Sequence, residues 1–262
     1  MPKLLDLDTG RLPDERLFPS RFGGDERLLK TSMQAYGLLR PPRLWIRDGE
    51  LTLLDGSMRL LLAREIGIKT VNCFVHENNE LDLEAAFLLC VEANSWDREF
   101  NVVEKGLMIQ RAHEVFKGKI IPKIFWHSLK VPQNIRTIQQ YKDLLRLPFI
   151  VQKYSVNNHV PLPVILEFLK FRKDEVEKVA NKLFVFPLSQ NRLAEILGFL
   201  LDICKQEERS PLNTLDHALG QIGNEGSAQQ KEIRLCHVLN LMCKPNDEAP
   251  LKDFEAKNSV IA

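Results

Sequence analysis

Residues 53–67, Leu53-Leu54-Asp55-Gly56-Ser57-Met58-Arg59-Leu60-Leu61-Leu62-Ala63-Arg64-Glu65-Ile66-Gly67, constrain this chain more than any other stretch. They read as a strand that passes through a glycine turn into a helix with an arginine in its first turn. Backbone N–H groups at a helix start have no intrahelical acceptor, the helix dipole favours negative charge there, and glycine admits a ligand close to the main chain. The turn therefore suits a phosphate, although the same pattern also describes an ordinary strand-to-helix turn with a solvated Arg59.

The flanking sequence sets this turn in a small α/β domain. Glu26 to Leu38 carries Leu29, Met33 and Tyr36 at helical spacing, and Gly37 stands where a helix would end. After Pro41-Pro42, Leu44 and Ile46 alternate with Arg43 and Arg47, Asp48-Gly49 supplies a two-residue hairpin turn, and Leu51 to Leu54 runs back. A further strand is expected over Thr70 to Val75, and a helix over Leu81 to Ala93.

Four stretches resemble the ParB/sulfiredoxin-like superfamily, and within it the ParB group of partition proteins. Leu17-Phe18-Pro19-Ser20-Arg21 is similar to the family's opening proline-arginine segment. Residues 28–41, with Ser32, Gly37 and Pro41, are similar to its L-x-x-S-I-x-x-x-G-x-x-x-P helix. Asp55-Gly56-Ser57-Met58-Arg59, with Ala63, falls on its G-E-R-R-x-x-A phosphate motif, and residues 92–101 fall on its E-N-x-x-R segment. The resemblance implies CTP with magnesium as ligand, and Arg21, Ser32, Gly37, Gly56, Ser57, Arg59 and Asn94 as the nucleotide-binding residues. It assigns no protein residue as a metal ligand. Asn94 also reads as the cap of the preceding helix. The family's partner glutamate would fall on Ala93 or, one residue shifted, on Glu92.

The departures narrow what the resemblance implies. Ser57 and Met58 stand where the motif has a carboxylate and its first arginine, which leaves Arg59 alone and implies at most a weak CTPase. One missing charge-assisted contact costs about 1.5 to 3 kcal/mol, roughly ten- to a hundredfold in affinity. Met58 reads equally well as a core residue, on a face with Leu61, Leu62 and Glu65. Sulfiredoxins carry their reactive cysteine where Ser57 stands, so thiolate repair chemistry by that route is excluded.

Charge points to a partner. Net charge is only +1, yet residues 101–182 hold 15 Lys/Arg against 7 Asp/Glu, while the segments on either side are net acidic. Within Lys119 to Lys153, seven basic residues face one acid, Asp143. Such clustering is the electrostatic footprint of polyanion binding, and is also what a solvated helix face looks like.

The basic stretch reads as helices joined by tight turns. Asn101 and Glu104 form a capping box before a helix bearing Leu107, Met108, Ala112, Val115 and Phe116. A second helix is expected over Pro122 to Ser128, a turn at Leu129-Lys130-Val131, and a third helix over Gln133 to Leu145 with Pro132 at its start. This is similar to the ParB helix-turn-helix segment, with Lys130 in place of its turn glycine. The third helix would present Gln133, Asn134, Arg136, Thr137 and Gln140 to base edges, with Ile135, Ile138, Tyr141 and Leu145 inward and Lys130, Lys142 and Arg146 toward phosphates.

Short helices follow over Pro161 to Phe171 and Asp174 to Leu183. Ser189 caps a helix whose stripe Leu193, Ile196, Leu197, Leu200, Leu201 and Cys204 needs a partner, either the rest of its domain or a second chain. Gly220 to Gln230 reads as a linker, Ile233 to Leu241 as a short helix, and the tail from Lys244 as frayed. Five scattered cysteines and six histidines show no ligand spacing, which favours buried thiols over disulfides or a zinc site.

The expected architecture is α+β: a nucleotide-binding α/β domain over 1–100, an all-α DNA-binding domain with a helix-turn-helix over 101–210, and a short helix, linker and tail over 211–262. The expected function is nucleotide-gated DNA binding in chromosome or plasmid partition or in transcriptional regulation. The implied partners are DNA, a homodimer partner and a partition ATPase. With no apolar run of membrane-spanning length and no signal-peptide pattern, the expected place is the cytoplasm, on the nucleoid. Two alternatives stay open: an ATP-dependent small-molecule kinase using Asp55 and Arg59, and a nucleotide-independent ParB-like adaptor.

Overall fold

The computed structural model describes residues 1–19, 21–23, 26–223 and 225–243. Ser20 of the opening proline-arginine segment and the tail from Lys244 lie outside the described residues. The chain is α+β and divides into two compact units, one ending at Leu162 and the other starting at Pro163.

The first unit is built on a four-stranded sheet of order β1-β4-β2-β3, with β1 at Lys3–Asp8, β2 at Arg43–Arg47, β3 at Glu50–Asp55 and β4 at Thr70–His76. β1 pairs antiparallel with β4, β2 antiparallel with β3, and β2 parallel with β4. The β2–β3 hairpin turns at Asp48 and Gly49, both at positive φ (53° and 87°), as a two-residue primed turn demands. The proline pair ahead of β2 holds the chain extended, and Pro41 and Pro42 lie outside any helix.

Helices α1 (Arg27–Tyr36) and α2 (Ser57–Glu65) pack on each other, and their apolar sides share a core with the sheet. Leu44, Leu53, Leu60, Leu62, Ala63 and Cys73 are buried in that core, and Met58 is half-buried against it. Tyr36, expected on the apolar face of α1, is exposed instead, because α1 meets its neighbours through Leu29 and Met33.

α3 (Leu83–Asp97), α4 (Val102–Phe116) and α5 (Lys123–Leu129) build a second core around Phe87. Its ring lies 5.2 Å from Phe18, 6.4 Å from Phe116 and 5.8 Å from Phe125. Burying an aromatic side chain of this kind contributes about 1.5 to 3 kcal/mol, so this core ties residues before and after position 100 firmly together. The capping box at the start of α4 is present: Asn101 accepts from the Val103 and Glu104 amides, and Glu104 accepts from the Asn101 amide.

α6 (Ile135–Leu144) and α7 (Phe149–Asn157) complete the unit. α6 starts two residues later than expected. Asn134, not Pro132, ends the extended segment, its side chain accepting from the Thr137 amide at 2.8 Å. Lys130 closes α5 in the left-handed region (φ 53°), where the expected pattern has glycine. Gly106 lets α6 lie close on α4: a Cβ built there would come 2.9 Å from the Tyr141 carbonyl oxygen.

Beyond a four-residue helix, α8 (Leu162–Ile165), the described residues of the second unit form a 3-10 turn at Leu166–Lys170 and four helices. These are α9 (Lys173–Leu183), α10 (Gln190–Glu207), α11 (Pro211–Gln221) and α12 (Ala228–Cys243). Ser189 caps α10 as expected. The α10 stripe finds its partners within the unit, against α11, α12 and the 3-10 turn, so it asks for no second chain. α11 and the length of α12 correct the linker expected over Gly220 to Gln230. Ser210 and Pro211 start α11, and only residues 222–227 separate it from α12.

Candidate nucleotide pocket and nucleic-acid interface

The turn after β3 is fixed by its glycine. Gly56 adopts φ 103° and ψ 15°, and a Cβ there would fall 2.9 Å from Cβ of Pro42, so both backbone conformation and space exclude a side chain. Among the described residues no side chain caps the amides of the first turn of α2, and these amides border a cavity of about 420 Å³.

Asp55, the last residue of β3, organises the polar wall. It is buried, and its two carboxylate oxygens each accept from a guanidinium, Arg16 Nη2 at 2.6 Å and Arg59 Nη2 at 2.6 Å. A buried carboxylate needs such partners, because removing the charge from water costs several kcal/mol. Arg59 is further tied by its Nη1, which donates to the Arg40 carbonyl at 2.9 Å. Arg16 reaches the site because Leu17 extends the free edge of β3, its amide donating to the Leu53 carbonyl at 2.9 Å. Arg16 also donates to Oδ1 of Asn94 at 3.3 Å.

Asn94 lies inside α3, which runs on to Asp97, so the helix-cap alternative does not hold. Its Nδ2 donates to the Cys90 carbonyl one turn back, at 2.7 Å, and this turns Oδ1 toward Arg16 and the cavity. Of the two residues aligned with the family's glutamate, Ala93 is buried and Glu92 is exposed, and neither lines the cavity.

Arg98 and Arg21 approach from the other side. Arg98 grips the buried Glu104 with two hydrogen bonds, 2.5 Å and 2.9 Å, and its guanidinium lies over the Phe100 ring at 5.5 Å. Glu104 also accepts from the Phe22 amide at 2.9 Å, which fixes the segment that carries Arg21.

The seven residues singled out from sequence for the nucleotide, Arg21, Ser32, Gly37, Gly56, Ser57, Arg59 and Asn94, all line this one cavity. Arg16, Arg40, Asp55 and Arg98 join them there, so the described lining holds five arginines and one carboxylate. Arg16 and Arg40 carried no motif of their own. Their signal lay in position: one sits on the strand extension before Phe18, the other just ahead of the proline pair.

A volume of this size falls in the usual range for small-ligand sites, and the excess positive charge, uncapped amides and missing Cβ suit a phosphorylated ligand. Magnesium is a different matter. The only carboxylate of the described lining has both oxygens engaged by arginines, and no group of three His, Cys, Asp or Glu among the described residues could hold a metal. These residues therefore offer no ready-made cation site.

The residues singled out for DNA lie elsewhere, on α6 and its flanks. Gln133, Arg136 and Arg146 are exposed, and Thr137, Gln140 and Lys142 are half-buried. Lys130 pairs with Glu99 at 3.5 Å and Arg146 with Asp143 at 3.0 Å. Asn134 uses its side-chain carbonyl oxygen to cap α6, accepting from the Thr137 amide, and this fixes how its amide is turned. Ile138 and Tyr141 pack against the Phe87 core, as expected, whereas Ile135 points away from it and is 87% exposed. Ile135 is the first helical residue and lies on the side of α6 that carries Gln139 and Arg146, not on the side of Tyr141 and Leu144. No helix among the described residues is long and apolar enough to cross a membrane.

No family model and no curated protein matches the chain. Among solved structures it is similar to the C-terminally truncated chromosome-partitioning protein ParB from Caulobacter crescentus complexed to the centromeric parS site. Identity there is 20% and the TM-score 0.44, over 74% of this chain and 98% of that one. It is also similar to the same truncated protein complexed with CTP-γS, at 22% identity and a TM-score of 0.32, over 70% of this chain and 99% of that one. A third similar structure is a Pnob8-like ParB-N domain, at 16% identity and a TM-score of 0.44, over 75% and 89% of the two chains.

Proposed function

We propose that this is a ParB-like DNA-binding protein whose cavity beside Gly56 takes a nucleoside triphosphate, CTP by the resemblance of its sequence motifs. The observation that carries the reading is the cavity itself. Residues chosen from four separate stretches of sequence line one space, with arginines in fivefold excess over carboxylate and a helix start opening into it.

In this reading the amides of Ser57 and Met58 and the guanidinium of Arg21 hold phosphate oxygens, since none of these is clamped on a buried carboxylate, while Arg98, gripped by Glu104, adds positive charge beside them. Arg16 and Arg59 do a different job. Clamped on Asp55, they hold the β3 end, Asn94 and the Arg40-Pro41 backbone in place, so that the cavity keeps its shape. That same clamp argues against Asp55 as the general base of a kinase, because both its oxygens are spent on arginines.

DNA is the proposed second ligand, read by α6 with phosphate contacts from Lys130, Lys142 and Arg146. The route between the two sites runs from Arg98 to Glu104 at the start of α4, and from α4 through the Gly106 contact to α6. Two copies of the chain closing on DNA, a partner ATPase, a nucleoid location and a role in partition or regulation all belong to this proposal.

Isothermal titration with CTP, ATP and GTP, on the intact chain and on Arg21→Ala, tests it. Selective CTP binding, weakened about tenfold or more by the loss of Arg21, is the expected result. Equal indifference to all three nucleotides would overturn the nucleotide half and leave a nucleotide-independent DNA-binding adaptor.

A further inference from the structure

α6 exposes one side chain that its polar surroundings do not explain. Ile135 is its first residue, 87% exposed, between Asn134 and Arg136. Its outer neighbours along the helix are Gln139, one turn on, and Lys142 and Arg146 further along, all polar or cationic. An isoleucine left in water at this place forgoes its burial, and its β-branch adds nothing to helix formation. The apolar side of α6 is meanwhile complete without it, in Ile138, Tyr141 and Leu144.

We infer that Ile135 is a specificity residue that packs against the 5-methyl group of a thymine in the DNA major groove. The inference rests on the DNA-binding reading above. Within the major groove, thymine alone of the four bases offers an apolar knob, its C5 methyl, and it is read by apolar side chains at the leading end of a recognition helix. The leading end of α6 is where Ile135 stands. Its neighbours suit the polar part of base reading, since Arg136 is exposed and can pair with a guanine edge, and Gln133 is exposed on the extended segment just ahead. Asn134 is the weaker candidate, because the cap bond from the Thr137 amide fixes how its side-chain amide is turned and so restricts bidentate pairing with an adenine edge. The base-reading group therefore centres on Gln133, Ile135 and Arg136, one of them apolar.

The test begins with selection of binding sites from a random duplex library by the intact chain, with and without CTP. On the selected site each thymine is replaced in turn by deoxyuridine, which removes only the methyl group, and Kd is measured for the wild type and for Ile135→Ala. This substitution sits on an exposed helix position and favours the helix, and circular dichroism confirms that the fold is kept. One thymine is expected to weaken wild-type binding by about fourfold when its methyl is lost. Ile135→Ala should cost a similar factor on the thymine site, and the two changes together should cost no more than either alone. Deoxyuridine replacements that are all neutral, or effects that multiply independently with Ile135→Ala, overturn the inference while leaving DNA binding intact. A library that enriches no sequence in either condition overturns the DNA-binding reading and this inference with it.

Discussion

Glu104→Gln is the perturbation that examines the link between cavity and helices most directly. The carboxylate is almost wholly buried. One oxygen accepts from Arg98 Nη2 and the Phe22 amide, the other from Arg98 Nη1 and the Asn101 amide. Glutamine has the same shape but only one acceptor oxygen, so whichever way its amide is turned, its NH2 faces two donors. A buried donor left without an acceptor costs about 1 to 3 kcal/mol. Arg98, whose side chain is 39% exposed, recovers part of its loss through water, whereas the backbone amide does not. The sum is about 3 kcal/mol, a large part of the roughly 5 to 15 kcal/mol that holds a domain together. For a unit of this size it lowers the Tm by roughly 6 to 12 °C. Differential scanning calorimetry reads the shift on the transition of the first unit, and nucleotide titration should show weaker binding because Arg98 and Arg21 lose their anchor. A Tm within about 2 °C of wild type would refute the reasoning, since it would mean that Glu104 holds nothing the amide cannot.

Gly106→Ala should destabilise the first unit by roughly 1 to 3 kcal/mol and lower DNA affinity, because the added methyl meets the Tyr141 carbonyl and Leu145 and pushes α6 off α4. Urea unfolding with parallel DNA titration checks this, and an unchanged midpoint would count against the packing argument. Burial pushes the Cys73 thiol up to about 11 and the Cys90 thiol up to about 12. Thiols raised in the folded state stabilise it fully below the ordinary thiol value of 9.0, and stability declines as pH rises above that value, because the unfolded thiols ionise first. At pH 8 both should resist a thiol reagent until the protein unfolds, while the less buried Cys204 and Cys243 react first; peptide mapping of the adducts gives the order, and early labelling of Cys90 would contradict its burial.

What the sequence made legible was local. The Asp48-Gly49 hairpin, the Gly56 turn, the Asn101–Glu104 capping box and the Ser189 cap depend on residues within a few positions of each other, and the structure has them all. β1 was not anticipated. It is an exposed edge strand with leucines at positions 4, 5 and 7, so neither alternation nor burial marked it. Arg16 was missed for a related reason: its place beside Asp55 comes from a bridge to β3 that no local pattern announces. Asn134 and Pro132 both suit a helix start, and the competition was decided by the bond from the Thr137 amide, which only Asn134 can accept. α11 was overlooked because Asn213, Thr214 and Gly220 lower its intrinsic helix preference, and packing against α9 and α10 supplies what propensity lacks.

The partnering of β1 with β4 carries a consequence for how the chain comes to be folded. Lys3 lies opposite Val75 and Asp8 opposite Thr70, so the first strand has no sheet to join until β4 has been made. The β2–β3 hairpin, by contrast, closes across two residues. During synthesis β1 leaves the ribosome before its partner β4 and waits unpaired, while hairpin, α2 and β4 assemble behind it. Placement of β1 is then the late, slow event of the sheet. A fluorescent probe at Leu4, which is exposed in the finished structure, would report it as a phase trailing the formation of the hairpin.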